Sequence, residues 1–189
     1  MISPFIDNLH QHLALFSKLE SLDGSVSRAA DMISDSLRSG GKLLLCGNGG
    51  SAADCQHIAA EFTGRFIKDR PPIAAISLTT DTSALTCIGN DYSFDEIFSR
   101  QVCALGRPGD ILLAITTSGN SGNVLTAVEA AHALGIESIG LLGRDGGKAL
   151  HVCKHSIVVP SNVTARIQEA HILIAHTICG MVENELGLV

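Results

Sequence analysis

Nowhere in the 189 residues do lysines and arginines form a run, and the formal net charge is -6. That balance excludes a nucleic-acid groove, which needs a clustered basic face against the phosphate backbone. Long apolar runs are missing as well. None approaches the roughly 18 residues of a membrane span. The opening MISPFIDNLHQH has neither the basic flank nor the apolar centre of a secretory leader. The expected location is therefore the cytoplasm, with no membrane or nucleic-acid partner. Charge of either sign is sparse, at 17% against 46% hydrophobic residues. So apolar a chain implies helix faces buried between the subunits of an obligate oligomer.

Paired cysteines are also lacking. Cys46, Cys55, Cys87, Cys103, Cys153 and Cys179 are scattered through apolar stretches, and no two form a C-x-x-C pair. Neither a zinc ribbon nor a redox dithiol is indicated, and reduced, mostly buried thiols are expected. No Pro/Gly/Ser linker, low-complexity tract or internal repeat divides the chain. Residues 1–189 read as one domain, with a core over about 33–189 and a helical extension over 1–32.

What is present is an alternation of short apolar runs with longer helical patterns, which predicts an α/β fold with a parallel sheet. Strands are expected over 42–46, 73–78, 110–116, 137–142 and 155–159. Most are continuous apolar runs, as suits strands covered on both faces. Helices are expected over 51–67, 83–88, 94–105, 121–134 and 164–186. Two more precede the first strand, over 4–19 and 25–38. Phe5, Leu9, Leu13 and Phe16 form a stripe on the first; Val26, Ala29, Ala30, Ile33 and Leu37 form one on the second. The expected architecture is a three-layer α/β/α sandwich around a five-stranded parallel sheet, preceded by helices. The last helix is apolar enough to predict packing against another subunit.

Two loops carry the polar chemistry. Gly47-Asn48-Gly49-Gly50-Ser51 joins a predicted strand to a predicted helix. Its glycines let backbone N–H groups approach a ligand, and Ser51 is placed to cap the helix. The Lys-Ser/Thr ending of a nucleotide P-loop is absent, and the glycines are misplaced for a dinucleotide fingerprint. A tight turn without a ligand would use the same residues, so this loop alone decides nothing. The second loop crowds the hydroxyls of Thr116, Thr117, Ser118 and Ser121 and the amides of Asn120 and Asn123 around two glycines. A helix cap needs one such group, not six. Hydroxyls and free N–H groups satisfy phosphate oxygens without net positive charge, so phosphate binding is the better account.

On the helix after the first loop, His57 and Glu61 are spaced i, i+4 and share a face. The last helix carries Gln168 and His176 eight residues apart, with His171 between. A carboxylate and an imidazole suit general acid–base chemistry, one as a base and the other as a proton shuttle. Without further context, His57 and Glu61 would equally make a surface hydrogen-bonded pair, and His171 and His176 interface histidines. His10, His12, His132, His151 and His155 form no constellation and are expected to be structural. Arg65, one turn past Glu61, is placed to pair with that carboxylate or with substrate, or to stay a solvated charge.

GNGGS before a helix, then TSGNSGN after a later strand, resembles the sugar isomerase (SIS) domain family of phosphosugar binders. The wider run CGNGGSAADCQHIAAEFTGRF, then GNDYSFDEIFSRQ, TTSGNSGNV and ARIQEAHILIAH, is similar to its phosphoheptose isomerase branch over nearly the whole chain. The resemblance implies a homotetramer, and the helix spacing of Gln168 and His176 puts its sites at subunit interfaces. It implies conversion of sedoheptulose 7-phosphate to D-glycero-D-manno-heptose 7-phosphate, which opens ADP-heptose synthesis for lipopolysaccharide or other surface glycans. It further implies Glu61 as base and His176 as its acid/base partner. Asn90 and Asp91 would contact sugar hydroxyls. His57, Glu61, Gln168 and His176 would hold one zinc ion per subunit, with Glu61 and Gln168 also facing substrate.

Gln is a poor zinc ligand, and residues eight apart on a straight helix are separated by about 12 Å. One of Gln168 and His176 is therefore expected from a neighbouring subunit. Ala165 stands where some relatives carry Asp, so that carboxylate contributes nothing here, while Arg166 is placed to orient the site. One SIS relative is a non-catalytic tetrameric scaffold that binds a replication initiator, but it lacks the carboxylate at the position of Glu61. Phosphosugar-sensing regulators add a DNA-binding module for which no length is spare. An isomerase for another sugar phosphate stays open, because a phosphate cradle does not count carbons.

Overall fold

The computed structural model describes residues 2–189. Helix α1 (Pro4–Phe16) starts where Ser3 Oγ accepts from the Ile6 N–H at 3.3 Å, with proline in a first turn that needs no amide donor. A 3-10 turn, Leu19–Leu22, leads into α2 (Asp23–Arg38). The chain then alternates: β1 (Leu43–Gly47), α3 (Gly50–Thr63), β2 (Ala75–Ser77) and α4 (Thr82–Asp91). After a 3-10 turn at Phe94–Glu96 come α5 (Ser99–Leu105), β3 (Ile111–Thr116) and α6 (Gly122–Ala133). β4 (Glu137–Gly143), α7 (Ala149–Val152), β5 (His155–Val159) and α8 (Thr164–Glu185) complete it.

All five strands pair in parallel, in the order β2-β1-β3-β4-β5. Alternate side chains of one strand enter opposite layers. Leu43 and Leu45 pack with Ile33, Ile58, Phe62, Ile174 and Ile178, from α2, α3 and α8. Leu44 and Cys46 pack with Phe98, Val102, Val124 and Val128, from the α5–α6 side. These are the three layers that the apolar strands predict. Helix α2 continues unbroken across residue 33, where the pattern sets the start of the core.

Four strands lie within one residue of their expected ends. β2 does not: it pairs on one side only and ladders three residues, with Ile76 37% exposed. The expected helix over 94–105 is broken, because the chain turns at Ile97 and Phe98 to bury both. Helix α3 ends at Thr63 rather than 67, and the short α7 was not expected. All six cysteines are free; Cys46, Cys55 and Cys179 are buried, and Cys87 and Cys103 are exposed. Among the described residues, no helix is long and apolar enough to cross a membrane.

The sheet order positions the site. From β1 the chain winds through α3, in one layer, to β2; from β3 it winds through α6, in the other layer, to β4. Winding reverses between the adjacent strands β1 and β3. The crevice at their carboxyl ends is where such sheets take ligands.

Candidate functional site

A cavity of about 290 Å³ opens at that crevice, lined by Asn48, Gly49, Gly50 and Ser51 from the first loop and Thr116, Thr117 and Ser121 from the second. Thr164 and Gln168 of α8 close its side. Gly49 stands at the N-cap of α3 with φ +56°, a conformation that favours glycine, and no side chain caps the helix. Ser51, expected as the cap, is instead the second helical residue and is buried. The tight turn needs the cap position for a residue of positive φ. Ser121 occupies the N-cap of α6 without capping it; its Oγ lies 3.2 Å from Thr116 Oγ1. Two helix starts therefore offer backbone donors and the positive ends of their dipoles to one space.

Close backbone packing fixes the second loop. Gly119 has φ +64°, and a Cβ there would collide with the Gly146 carbonyl. Ser118 lies outside the cavity lining, where its Oγ accepts from the Asn120 N–H at 3.2 Å. Asn48 and Asn123 exchange two amide hydrogen bonds, each 2.8 Å. Asn123 is 1% exposed; its amide counts among the polar groups of the second loop, but nothing in the sequence pairs it with Asn48.

Farther along α3 stands the second group. His57 Nε2 lies 2.8 Å from His176 Nε2 and 3.4 Å from Glu61 Oε1. One ligand atom from each of the three falls within 4.8 Å of the others, so the cluster can hold a metal ion. The Phe66 ring stacks on His176 with centroids 5.4 Å apart, while the His57 side chain stays 48% exposed. Gln168 does not join the three. It packs on Gly50, where a Cβ would meet its amide. Gly50 precedes His57 by seven residues, about 10 Å along a helix.

Asp54 was overlooked from sequence, although Asp54-x-x-His57 places it one turn before a candidate ligand. Its Oδ2 is buried and has no hydrogen-bond partner among the described residues. Burial raises the Asp54 carboxyl pKa, while His57 and His176 pull it down. Asn90 and Asp91 sit exposed at the end of α4, outside the cavity lining. The Asn90 amide donates to Asp91 at 2.8 Å and, with the Cys87 thiol, holds that carboxyl below its ordinary value. Arg65 is exposed, and its Nη1 donates to the Ile67 carbonyl at 2.9 Å rather than to Glu61.

Two side chains of α8 face elsewhere than expected. Arg166 turns from the cavity to α1, donating to the Asn8 carbonyl at 2.7 Å. His171 is a core histidine rather than an interface one: it is fully buried, with Nε2 3.0 Å from the Leu142 carbonyl.

The sequence model of the SIS domain family matches residues 7–143. A phosphoheptose isomerase of Rhodospirillum rubrum is 54% identical over 90% of this chain and 91% of its own. That of Aliarcobacter butzleri is 52% identical over 99% of this chain and 100% of its own. Among solved structures, the phosphoheptose isomerase of Neisseria gonorrhoeae superposes with a TM-score of 0.91 at 48% identity. That match covers 95% of this chain and 97% of the other.

Proposed function

From the premise that the chain belongs to the SIS domain family, we propose that it is a phosphoheptose isomerase acting on sedoheptulose 7-phosphate. The product is D-glycero-D-manno-heptose 7-phosphate, the first intermediate toward ADP-heptose for lipopolysaccharide or related glycans. One observation carries the assignment. A cradle suited to an anion and a carboxylate–imidazole cluster stand at two points of the same helix, α3.

The phosphate docks where α3 and α6 begin, against the hydroxyls of Ser51, Thr116, Thr117 and Ser121 and the backbone at Asn48, Gly49 and Gly50; Ser118, outside the lining, contributes less. Gly50 and His57 are separated by about 10 Å of helix rise. The extended chain from phosphorus to C1 of a seven-carbon sugar, at about 1.2 Å per bond, covers a similar span. The carbonyl end then lies beside the cluster. Glu61 takes the proton from one of C1 and C2 and returns it to the other through an enediol(ate), while His176 moves the proton between the two oxygens. Gln168, at the side of the cradle, faces the sugar; Asn90, Asp91 and Arg65 lie outside this protomer's cavity lining and would reach sugar hydroxyls across a subunit interface.

The donor set also suits zinc, one ion per subunit. Two imidazole nitrogens and a carboxylate oxygen are zinc ligands, and ligands at about 2.0–2.2 Å in a tetrahedron stand roughly 3.3–3.5 Å apart. The 3.4 Å His57–Glu61 and 2.8 Å His57–His176 separations, with Glu61 and His176 within 4.8 Å, need the imidazoles to open a little and Glu61 to draw in toward His176. His57, Glu61 and His176 would hold the ion, with Gln168 of a neighbouring subunit as fourth ligand. When bound, it would polarise the substrate's oxygens.

That arrangement calls for an assembly, proposed as a cytoplasmic homotetramer with sites at its interfaces. Its support is the apolar stripe left open on α1, where Phe5, Leu9 and Leu13 are 73%, 41% and 57% exposed. The test is incubation with sedoheptulose 7-phosphate, with and without added zinc, followed by product analysis. Heptose 7-phosphate should form. No aldose under either condition would refute the activity, and equal rates after exhaustive chelation would refute the zinc role.

A further inference from the structure

Arg70, in the segment between α3 and β2, has a side chain 1% exposed; that of Glu183, near the end of α8, is 3% exposed. Charges so far from water persist where hydrogen bonds satisfy them. Arg70 Nε donates to Glu183 Oε1 at 2.7 Å. Its Nη2 donates to the Glu61 carbonyl at 2.6 Å, and its Nη1 to the Phe62 carbonyl at 2.7 Å. Those carbonyls belong to the last turn of α3, where no following turn supplies a donor. Glu183 Oε1 also accepts from the Phe66 N–H at 3.2 Å, and the Phe66 ring is the one stacked on His176. A single ion pair thus touches the backbone of Glu61 and, through Phe66, the ring of His176.

We infer that Arg70 and Glu183 are positioning residues, a clamp that sets the separation of Glu61 from His176. The inference rests on the role proposed above for the His57–Glu61–His176 cluster. Glu61 lies two residues from the end of α3, the part of a helix that frays first. Helix α8 carries Glu183 seven residues after His176, two turns along the same face. The clamp therefore closes the gap between the two helices on the side away from the cradle. It contributes alignment more than stability, since a buried ion pair is seldom a net stabiliser against an apolar pair.

The test uses the full chain, with zinc alone titrated by competition against a chelating dye, alongside kcat, KM and thermal melting. Arg70→Lys removes the fork that spans both helices. It should weaken zinc binding and lower kcat, each by about ten-fold or more, with KM changed less than two-fold because the cradle is remote. Glu183→Ala removes the acceptor that ties both Arg70 Nε and the Phe66 N–H to α8 and should do the same; it carries the test if Arg70→Lys does not fold. Glu183→Gln keeps an oxygen for Arg70 Nε and the Phe66 N–H, and should hold zinc affinity within about three-fold of the parent. Parental zinc affinity and kcat in a folded Arg70→Lys or Glu183→Ala protein, whatever its melting temperature, would overturn the clamp. Equal losses in Glu183→Gln and Glu183→Ala would overturn it too. His57→Ala separates the premise: zinc binding unchanged in that variant would refute the cluster's role itself.

Discussion

Asn48 and Asn123 hold each other by two reciprocal amide hydrogen bonds across a separation of 75 residues. The pair joins the loop after β1 to the first turn of α6, so the two halves of the cradle cannot drift apart independently. Asn123→Ala strands a half-buried amide, a loss of about 1–3 kcal/mol. It should raise KM several-fold with a smaller change in kcat. Steady-state kinetics and urea unfolding measure both, and an unchanged KM would mean the loops keep their spacing without the pair.

Glu61→Gln should abolish turnover while leaving ligand binding and assembly largely intact. The amide keeps the shape of the side chain but cannot accept a carbon-bound proton at useful rates. Retained turnover would exclude Glu61 as the base.

Ser121→Ala should raise KM through a lost contact to phosphate. A hydrogen bond to a charged group contributes about 1.5–3 kcal/mol, which corresponds to a roughly 10- to 150-fold weaker hold. Ser118 lies beyond the cavity lining and its hydroxyl already accepts from Asn120, so Ser118→Ala should raise KM less. Equal KM values for parent and Ser121→Ala would reduce that hydroxyl to a partner of Thr116.

Stability should depend on His171. Burial pushes its imidazole down from 6.5 to about 4, and the bond to the Leu142 carbonyl offsets this only in part. Below about pH 6.5 the unfolded chain binds a proton that the folded chain refuses until about pH 4. Stability from this residue is therefore complete above pH 6.5 and falls as pH drops toward 4, by about 3 kcal/mol in all. Urea unfolding near pH 5 and near pH 7.5 should show a fall in the parent that is about 2 kcal/mol smaller in His171→Gln. Identical pH dependence in the two proteins would rule out a buried neutral imidazole.

Local pattern located most of the sheet because β1, β3 and β4 carry continuous apolar runs, which full burial on both faces selects, while β5, at the other edge, keeps the shorter run Ile157–Val159. β2 fails that logic at the sheet edge: Ile73 and Leu78 are buried, yet only the residues between them ladder. The cradle was legible because glycines and hydroxyls concentrate at two strand-to-helix turns. Contacts that complete the site were not. Asn48 with Asn123, His57 with His176 and Arg70 with Glu183 are pairs 75, 119 and 113 residues apart, and no short-range period encodes them. The end of α3 at Thr63 has the same origin, since the guanidinium that takes its carbonyls comes from beyond the helix.

The residues lining the cradle include no lysine or arginine. Amide and hydroxyl dipoles grip at contact, and their field fades within a few ångströms. At longer range a dissolved anion meets the net charge of -6 and is turned away. Dissolved salt mutes that repulsion and barely touches the short-range grip. Capture of an anionic sugar by this protein should therefore speed up with rising ionic strength, the reverse of what a basic pocket would show.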